Sequence, residues 1–286
     1  MKDLRFCLLV LILMSMNSCG GKTEQPETAV NIIFLHHSTG YNIWQGDKST
    51  VKSKIQRKLG GGSAVKAWFK QYNKNHGTNY KIEELYFPAA GQSREYGNFP
   101  FDYYDIWVNN AGDQPVNADP TLEILSRDYD IIIWKHCFPV GDILEDTGQP
   151  DINSREKRIE NYKLQYEALQ KKMLEFPDTR FLVWTGAALL EENTTEEKAT
   201  KTREFFNWVR QTWDEPGDNI YLWDFYELET EGGIYMKKEF AAGPGDSHPN
   251  NQFSGMAYIL FCNRIVDVIQ DEGNKTSITG EPLSAQ

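Results

Sequence analysis

The chain has 286 residues, a formal net charge of -11 at pH 7 and an aromatic content of 13%. The acidic balance disfavours nucleic acid and anionic membrane faces as partners, because a phosphate backbone selects for clustered Lys and Arg. There is no internal repeat or low-complexity tract, and the length suits one α/β domain behind an export signal.

Residues 1–18 carry Lys2 and Arg5 followed by an apolar stretch over 6–14. That stretch is too short to span a bilayer as a helix and reads as a secretory signal. It ends in Asn17-Ser18-Cys19-Gly20, which resembles the bacterial lipoprotein signal. The resemblance implies that Cys19 is lipidated and becomes the mature N-terminus. The protein is then expected at the cell envelope, outside the cytoplasm, touching the membrane only through that lipid. Residues 19–28 are polar and aperiodic, as in a flexible tether, leaving 29–272 for the folded domain and 273–286 as a C-terminal tail.

The first apolar run, residues 31–36, predicts a buried strand that leads directly into His36-His37-Ser38-Thr39-Gly40. Residues 63–76 follow with Val65, Trp68, Phe69 and Tyr72 at helical spacing. A second strand is predicted over 81–86, and after it Ala89-Ala90-Gly91. Residues 91–120 hold Gly97, Pro100, Pro115 and Pro120 among Tyr96, Phe99, Phe101, Tyr103, Tyr104 and Trp107. They predict an aromatic-rich loop without secondary structure, serving as a wall or lid over a site or as a cover for the sheet edge. A third strand over 130–134 runs into Lys135-His136-Cys137-Phe138-Pro139. Helices over 154–176 and 195–213 alternate with strands over 180–184 and 219–223. Last come Asp246-Ser247-His248-Pro249 and a closing amphipathic helix over 252–270. Strand and helix in alternation predict an α/β fold, a three-layer α/β/α sandwich with a central parallel sheet of about five strands. In such sheets ligands bind beyond the carboxyl ends of the strands, where His36, residues 88–91, residues 135–138 and Thr185 fall. Of the cysteines beyond Cys19, Cys137 and Cys262 are expected as two separate buried thiols, and Asp142 and Asp224 as caps or turn residues.

Hydroxyl, imidazole and carboxylate are the chemistries of an activated serine. A serine hydroxyl needs a base within hydrogen-bond reach, and histidine is suited to taking that proton and returning it to a leaving group. Ser38 is therefore the candidate nucleophile, His248 its base and Asp246 the group that orients the base.

The same blocks resemble the SGNH/GDSL hydrolase superfamily over residues 31–270. Ser38 with Gly40 is similar to the serine block, Ala89-Ala90-Gly91 to the block whose glycine N–H helps form the oxyanion hole, residues 130–139 to the third block and 246–249 to the last. Two positions depart from the pattern. The third block lacks the usual asparagine, and the last reads Asp-x-His where Asp-x-x-His is usual. Candidate oxyanion donors are the backbone N–H groups of Ser38 and Gly91, with a side chain from Lys135 or His136 as a third. The resemblance implies an esterase that removes a small acyl group, acetyl above all, from a small-molecule or glycan ester through an acyl-enzyme. An alternative is a carbohydrate-binding lipoprotein that kept the fold and lost the chemistry. No cofactor is expected. A His/His/Asp metal site lacks a His-x-His or Asp-x-His run near His36 and a second carboxylate ligand.

Overall fold

The computed structural model describes residues 29–89 and 97–283. The expected export signal, Cys19, the expected tether up to residue 28 and Gly91 lie outside the described residues. Strand β1 (Val30–His36) is followed by helices α1 (Ser38–Gln45), α2 (Val51–Gly60) and α3 (Ala64–His76), then by β2 (Tyr80–Tyr86). Next come α4 (Pro100–Tyr104), α5 (Leu122–Asp128) and β3 (Ile131–Lys135). The second half runs α6 (Ile159–Met173), β4 (Arg180–Trp184), α7 (Glu196–Trp208), β5 (Ile220–Trp223) and α8 (Phe225–Thr230). A small hairpin, β6 (Ala241–Gly243) and β7 (Asp246–Pro249), leads into the long helix α9 (Asn251–Asp271).

The five central strands are parallel in the order β2-β1-β3-β4-β5, with helical layers on both faces, so the chain is a three-layer α/β/α sandwich. Strand β3 shows why both faces must be covered. Its side chains alternate, Ile131 and Ile133 packing into the layer of α1, α3 and α9, while Ile132 and Trp134 pack into that of α6. Burying one such side chain is worth about 1.5–3 kcal/mol. An exposed pair such as Arg127–Asp113 contributes about 0–1 kcal/mol, so apolar faces and not surface ions set the strand positions.

The expectation of a structureless loop over 91–120 is corrected. Residues 100–104 form α4, continued by a π-helical turn, Asp105–Asn109. Phe101, Tyr103, Tyr104 and Trp107 are buried, and Tyr103 and Trp107 pack edge-on to each other, their centroids 4.9 Å apart. These aromatics fill the core beneath the sheet instead of standing over a site. Residues 276–282 of the expected C-terminal tail belong to the folded body, since Asp224 N–H donates to the Ile278 carbonyl and the Trp223 indole to that of Thr279. Cys137 and Cys262 are buried, free thiols. Among the described residues, no helix is long and apolar enough to cross a membrane.

Candidate active site

Ser38 is the first residue of α1, directly beyond the carboxyl end of β1, and its side chain is exposed. The turn from strand to helix is tight because residue 40 is glycine: a Cβ there would lie 2.5 Å from the His36 Cβ and 3.1 Å from the Phe34 ring. The two histidines before Ser38 are both tied down. His36 is buried with its Nε2 2.9 Å from Glu84, and His37 donates to the Pro88 carbonyl at 2.9 Å while stacking on Tyr86 at 4.0 Å. Burial lowers the His37 pKa to about 4, so its imidazole is neutral near neutral pH. As the opening residue of a helix, Ser38 has a backbone N–H without an intrahelical acceptor, and none of the described residues accepts from it.

The other two groups come from the hairpin. A turn at Pro244-Gly245, with Gly245 at φ +70°, brings β7 back against β6. The turn is held from outside by Glu192, which accepts from the Gly245 N–H at 2.5 Å, and by Asn193, which donates to the Gly245 carbonyl at 3.0 Å. At the other end Asn250 caps α9 by accepting from the Phe253 N–H at 2.8 Å and donates to the Glu239 carbonyl at 2.6 Å. Within β7 the inward residue is Ser247, buried, its hydroxyl accepting from the Leu190 N–H at 3.0 Å. Asp246 and His248 therefore share the opposite, outward face.

These elements bring the three residues into one chain of hydrogen bonds. His248 Nε2 lies 3.0 Å from Ser38 Oγ, and His248 Nδ1 lies 2.7 Å from Asp246 Oδ1. The same carboxylate oxygen accepts from the His248 backbone N–H at 3.0 Å. These two bonds hold the Asp246 carboxyl below its ordinary pKa and keep it ionised. An anionic acceptor at Nδ1 places the ring proton there and leaves Nε2 to accept from the serine hydroxyl. The Phe138 ring meets the imidazole edge-on at 5.1 Å, a contact that no local motif announces. An open cavity of about 500 Å³ adjoins the three residues, with Tyr41, Asn42, Lys48, Asn250 and Asn251 on its walls.

The expectation of a third oxyanion donor from Lys135 or His136 is corrected. Both are fully buried and, being adjacent on an extended segment, point to opposite layers. The Lys135 ammonium lies 2.8 Å from the Cys137 sulfur and 5.2 Å from the centre of the Trp184 ring. Burial alone would raise the Cys137 pKa, but Lys135 and hydrogen bonds from Thr39 more than offset it and hold the thiol below its ordinary range. His136 lies among Tyr103, Trp134 and Tyr166, its Nδ1 3.1 Å from the Asn98 carbonyl, and burial lowers its pKa to about 3. Neither side chain is presented to Ser38. Gly91 lies outside the described residues.

Asp224 caps α8 by accepting from the Glu227 N–H, and Asp142 pairs with Lys157 and Lys198. No group of His, Cys, Asp and Glu among the described residues is placed to hold a metal ion.

No family model and no curated protein matches the chain. Among solved structures, it is similar to a carbohydrate esterase family 2 enzyme plus carbohydrate-binding domain from Corynascus thermopiles (Myceliophthora fergusii). Identity is 14%, coverage 87% of this chain and 68% of that one, and the TM-score 0.41. It is also similar, at 12% identity, to a carbohydrate esterase whose active site displays divergent catalytic and non-catalytic binding functions. That match covers 85% of this chain and 69% of the other, with a TM-score of 0.36.

Proposed function

We propose that this protein is a serine hydrolase that cleaves small acyl, above all acetyl, esters from a carbohydrate or glycoconjugate. One observation carries the reading: the continuous hydrogen-bonded relay from Ser38 through His248 to Asp246 on an open cleft. The Ser38 hydroxyl passes its proton to His248 Nε2 as Oγ bonds to the acyl carbon. The resulting oxyanion is met by the Ser38 N–H, with the Gly91 N–H as the second donor that the sequence resemblance supplies. Collapse breaks the ester C–O bond, and His248 returns the proton to the departing alcohol. Water, deprotonated by the same imidazole, then releases the acid and restores Ser38. Base catalysis of this kind is worth about 10²–10⁴ in rate.

The carbohydrate assignment draws on the cleft walls. Asn42 and Asn251 offer amides to sugar hydroxyls, and Tyr41, 47% exposed, offers a ring face for stacking. Export and lipid attachment at Cys19 belong to the same proposal and draw on the N-terminal sequence alone.

A serine-directed fluorophosphonate tests the chemistry. Labelling at Ser38, together with turnover of a chromogenic acetyl ester that the Ser38→Ala variant loses, is the expected result. Absence of label with glycan binding retained would turn the reading into a non-catalytic binding protein. Globomycin-sensitive incorporation of labelled palmitate, abolished by Cys19→Ala, tests the anchor.

A further inference from the structure

Helix α2 is packed the wrong way round for a helix of a water-soluble surface. Its apolar residues recur at i, i+4 and i+8, yet Val51, Ile55 and Leu59 are 73%, 54% and 70% exposed. The side turned toward the body is small and polar: Ser53, Arg57, which donates to the Gln45 side chain at 3.0 Å, and Gly60. Gly60 is there for close approach, since a Cβ would lie 2.4 Å from the Ala67 Cα. At the helical angle of about 100° per residue, the apolar stripe is flanked by Lys54 and Lys58 on one edge and Lys52 on the other, all three exposed. The helix is closed off at both ends, by Thr50, which accepts from the Ser53 N–H, and by Gly61 in the left-handed conformation. An open groove of about 790 Å³ lies between α2 and α3, with Lys52, Leu59, Trp68 and Tyr258 among its walls.

Its charge is opposite to that of the molecule. Residues 48–76 contain eight Lys and Arg and no Asp or Glu, in a chain of net charge -11. At physiological ionic strength a charge is felt over about 8 Å, so a surface meeting α2 meets this basic stretch and not the whole-chain charge.

We propose that α2 is an interfacial helix that seats the domain on an anionic bilayer, with Val51, Ile55 and Leu59 in the boundary between headgroups and acyl chains and Lys52, Lys54 and Lys58 on lipid phosphates. An aliphatic stripe rimmed by lysines, with no acidic residue on the helix, is the pattern that such a boundary stabilises. An acidic polysaccharide would use the lysines but gives no reason for three aliphatic side chains in water. A second copy would bring two sets of like charges together. The inference stands apart from the catalytic reading, because none of these residues lines the cleft at Ser38.

The test uses the full chain carrying Cys19→Ala, so that no lipid is attached. It is co-sedimented with phosphatidylcholine vesicles with and without phosphatidylglycerol. Binding to the anionic vesicles is expected to exceed binding to neutral ones by at least about tenfold and to weaken with salt. Ile55→Asp/Leu59→Asp is expected to lose it by more than about tenfold, and Lys54→Gln/Lys58→Gln by roughly twentyfold. Circular dichroism and the unfolding midpoint of both variants should match the parent, because the altered side chains are exposed. Equal sedimentation of all three chains would overturn the proposal. So would failure to bind either vesicle, retention on polygalacturonate with no vesicle binding, or a concentration-dependent dimer that Ile55→Asp/Leu59→Asp disrupts.

Discussion

Asp246 and His248 stand two residues apart on the same face of β7, and one carboxylate oxygen of Asp246 accepts from both the ring and the backbone nitrogen of His248. Side chains alternate along a strand with period 2, so the missing residue of the Asp-x-His spacing is a consequence of the hairpin. Inserting one glycine after Asp246 restores the longer spacing but turns the carboxylate to the side now occupied by Ser247. It is expected to lower kcat for an acetyl ester by about 10²–10⁴, as loss of the orienting carboxylate would. Kinetics of the insertion variant beside Asp246→Asn check this, and full activity in the insertion variant would refute the strand argument.

Gly40 sets how closely α1 approaches the end of β1, and Ser38 lies two residues before it. In Gly40→Ala the new methyl meets the His36 Cβ and the Phe34 ring, neither of which is free to move within the core. The helix must back away. Overpacking of this kind costs about 1–3 kcal/mol, and a displacement of about 1 Å at the nucleophile costs on the order of 10² in rate. Urea unfolding and kcat/KM measured on the same preparation separate the two effects.

The sheet and its order of elements were legible because buried parallel strands read as unbroken apolar runs, as in Ile32 to Leu35, and because α3, α6 and α7 keep helical spacing. Ser38, His248 and Asp246 were legible from chemistry and from place in the chain. The hairpin was not: Ala241 to Gly243 is three residues of small side chains, without the alternation that marks a strand. Helix α4 was hidden by Pro100, which reads as a loop signal but here occupies the first helical position, where its missing N–H costs nothing. Lys135 and His136 were misplaced for a different reason. A sequence fixes that neighbours on a strand face opposite ways, not that both layers are closed over them. Likewise the net charge of -11 averaged away the basic stretch that carries α2.

Burial leaves His37 and His136 neutral down to about 4 and about 3, so neither takes up a proton between neutral pH and about pH 5. His37→Gln is therefore expected to leave the shape of log kcat/KM against pH unchanged over that range. A profile whose acid side loses steepness in His37→Gln would show that His37 titrates there after all.

Lys135 acts through packing and charge, not at the reacting atoms. In Lys135→Met the buried thiol of Cys137 loses the ammonium that lowers its pKa, and its pKa rises. The unfolding midpoint should shift while kcat/KM stays within about tenfold of the parent, whereas removal of an oxyanion donor costs on the order of 10²–10³. Iodoacetamide trapping after urea unfolding confirms that Cys137 remained a free thiol in both chains.

Glu229 is fully buried, with one carboxyl oxygen accepting from the Ala188 N–H at 2.7 Å and the other without a partner among the described residues. Burial raises its pKa well above the ordinary carboxylate range, so above the unfolded pKa the folded chain binds this proton more tightly than the unfolded chain does. Its contribution is therefore complete below the unfolded pKa and declines as pH rises toward the folded value, by up to about 1.4 kcal/mol per pH unit. Glu229→Gln keeps the acceptor for Ala188 and removes the titration. Its stability relative to the parent should rise as pH is raised from the ordinary carboxylate range toward neutrality and beyond. Glu229→Ala, which leaves the Ala188 N–H buried without an acceptor, should lose about 1–3 kcal/mol at every pH. Urea midpoints of the three chains measured across that pH range decide it, and parallel curves for the parent and Glu229→Gln would show that Glu229 is ionised in the folded state.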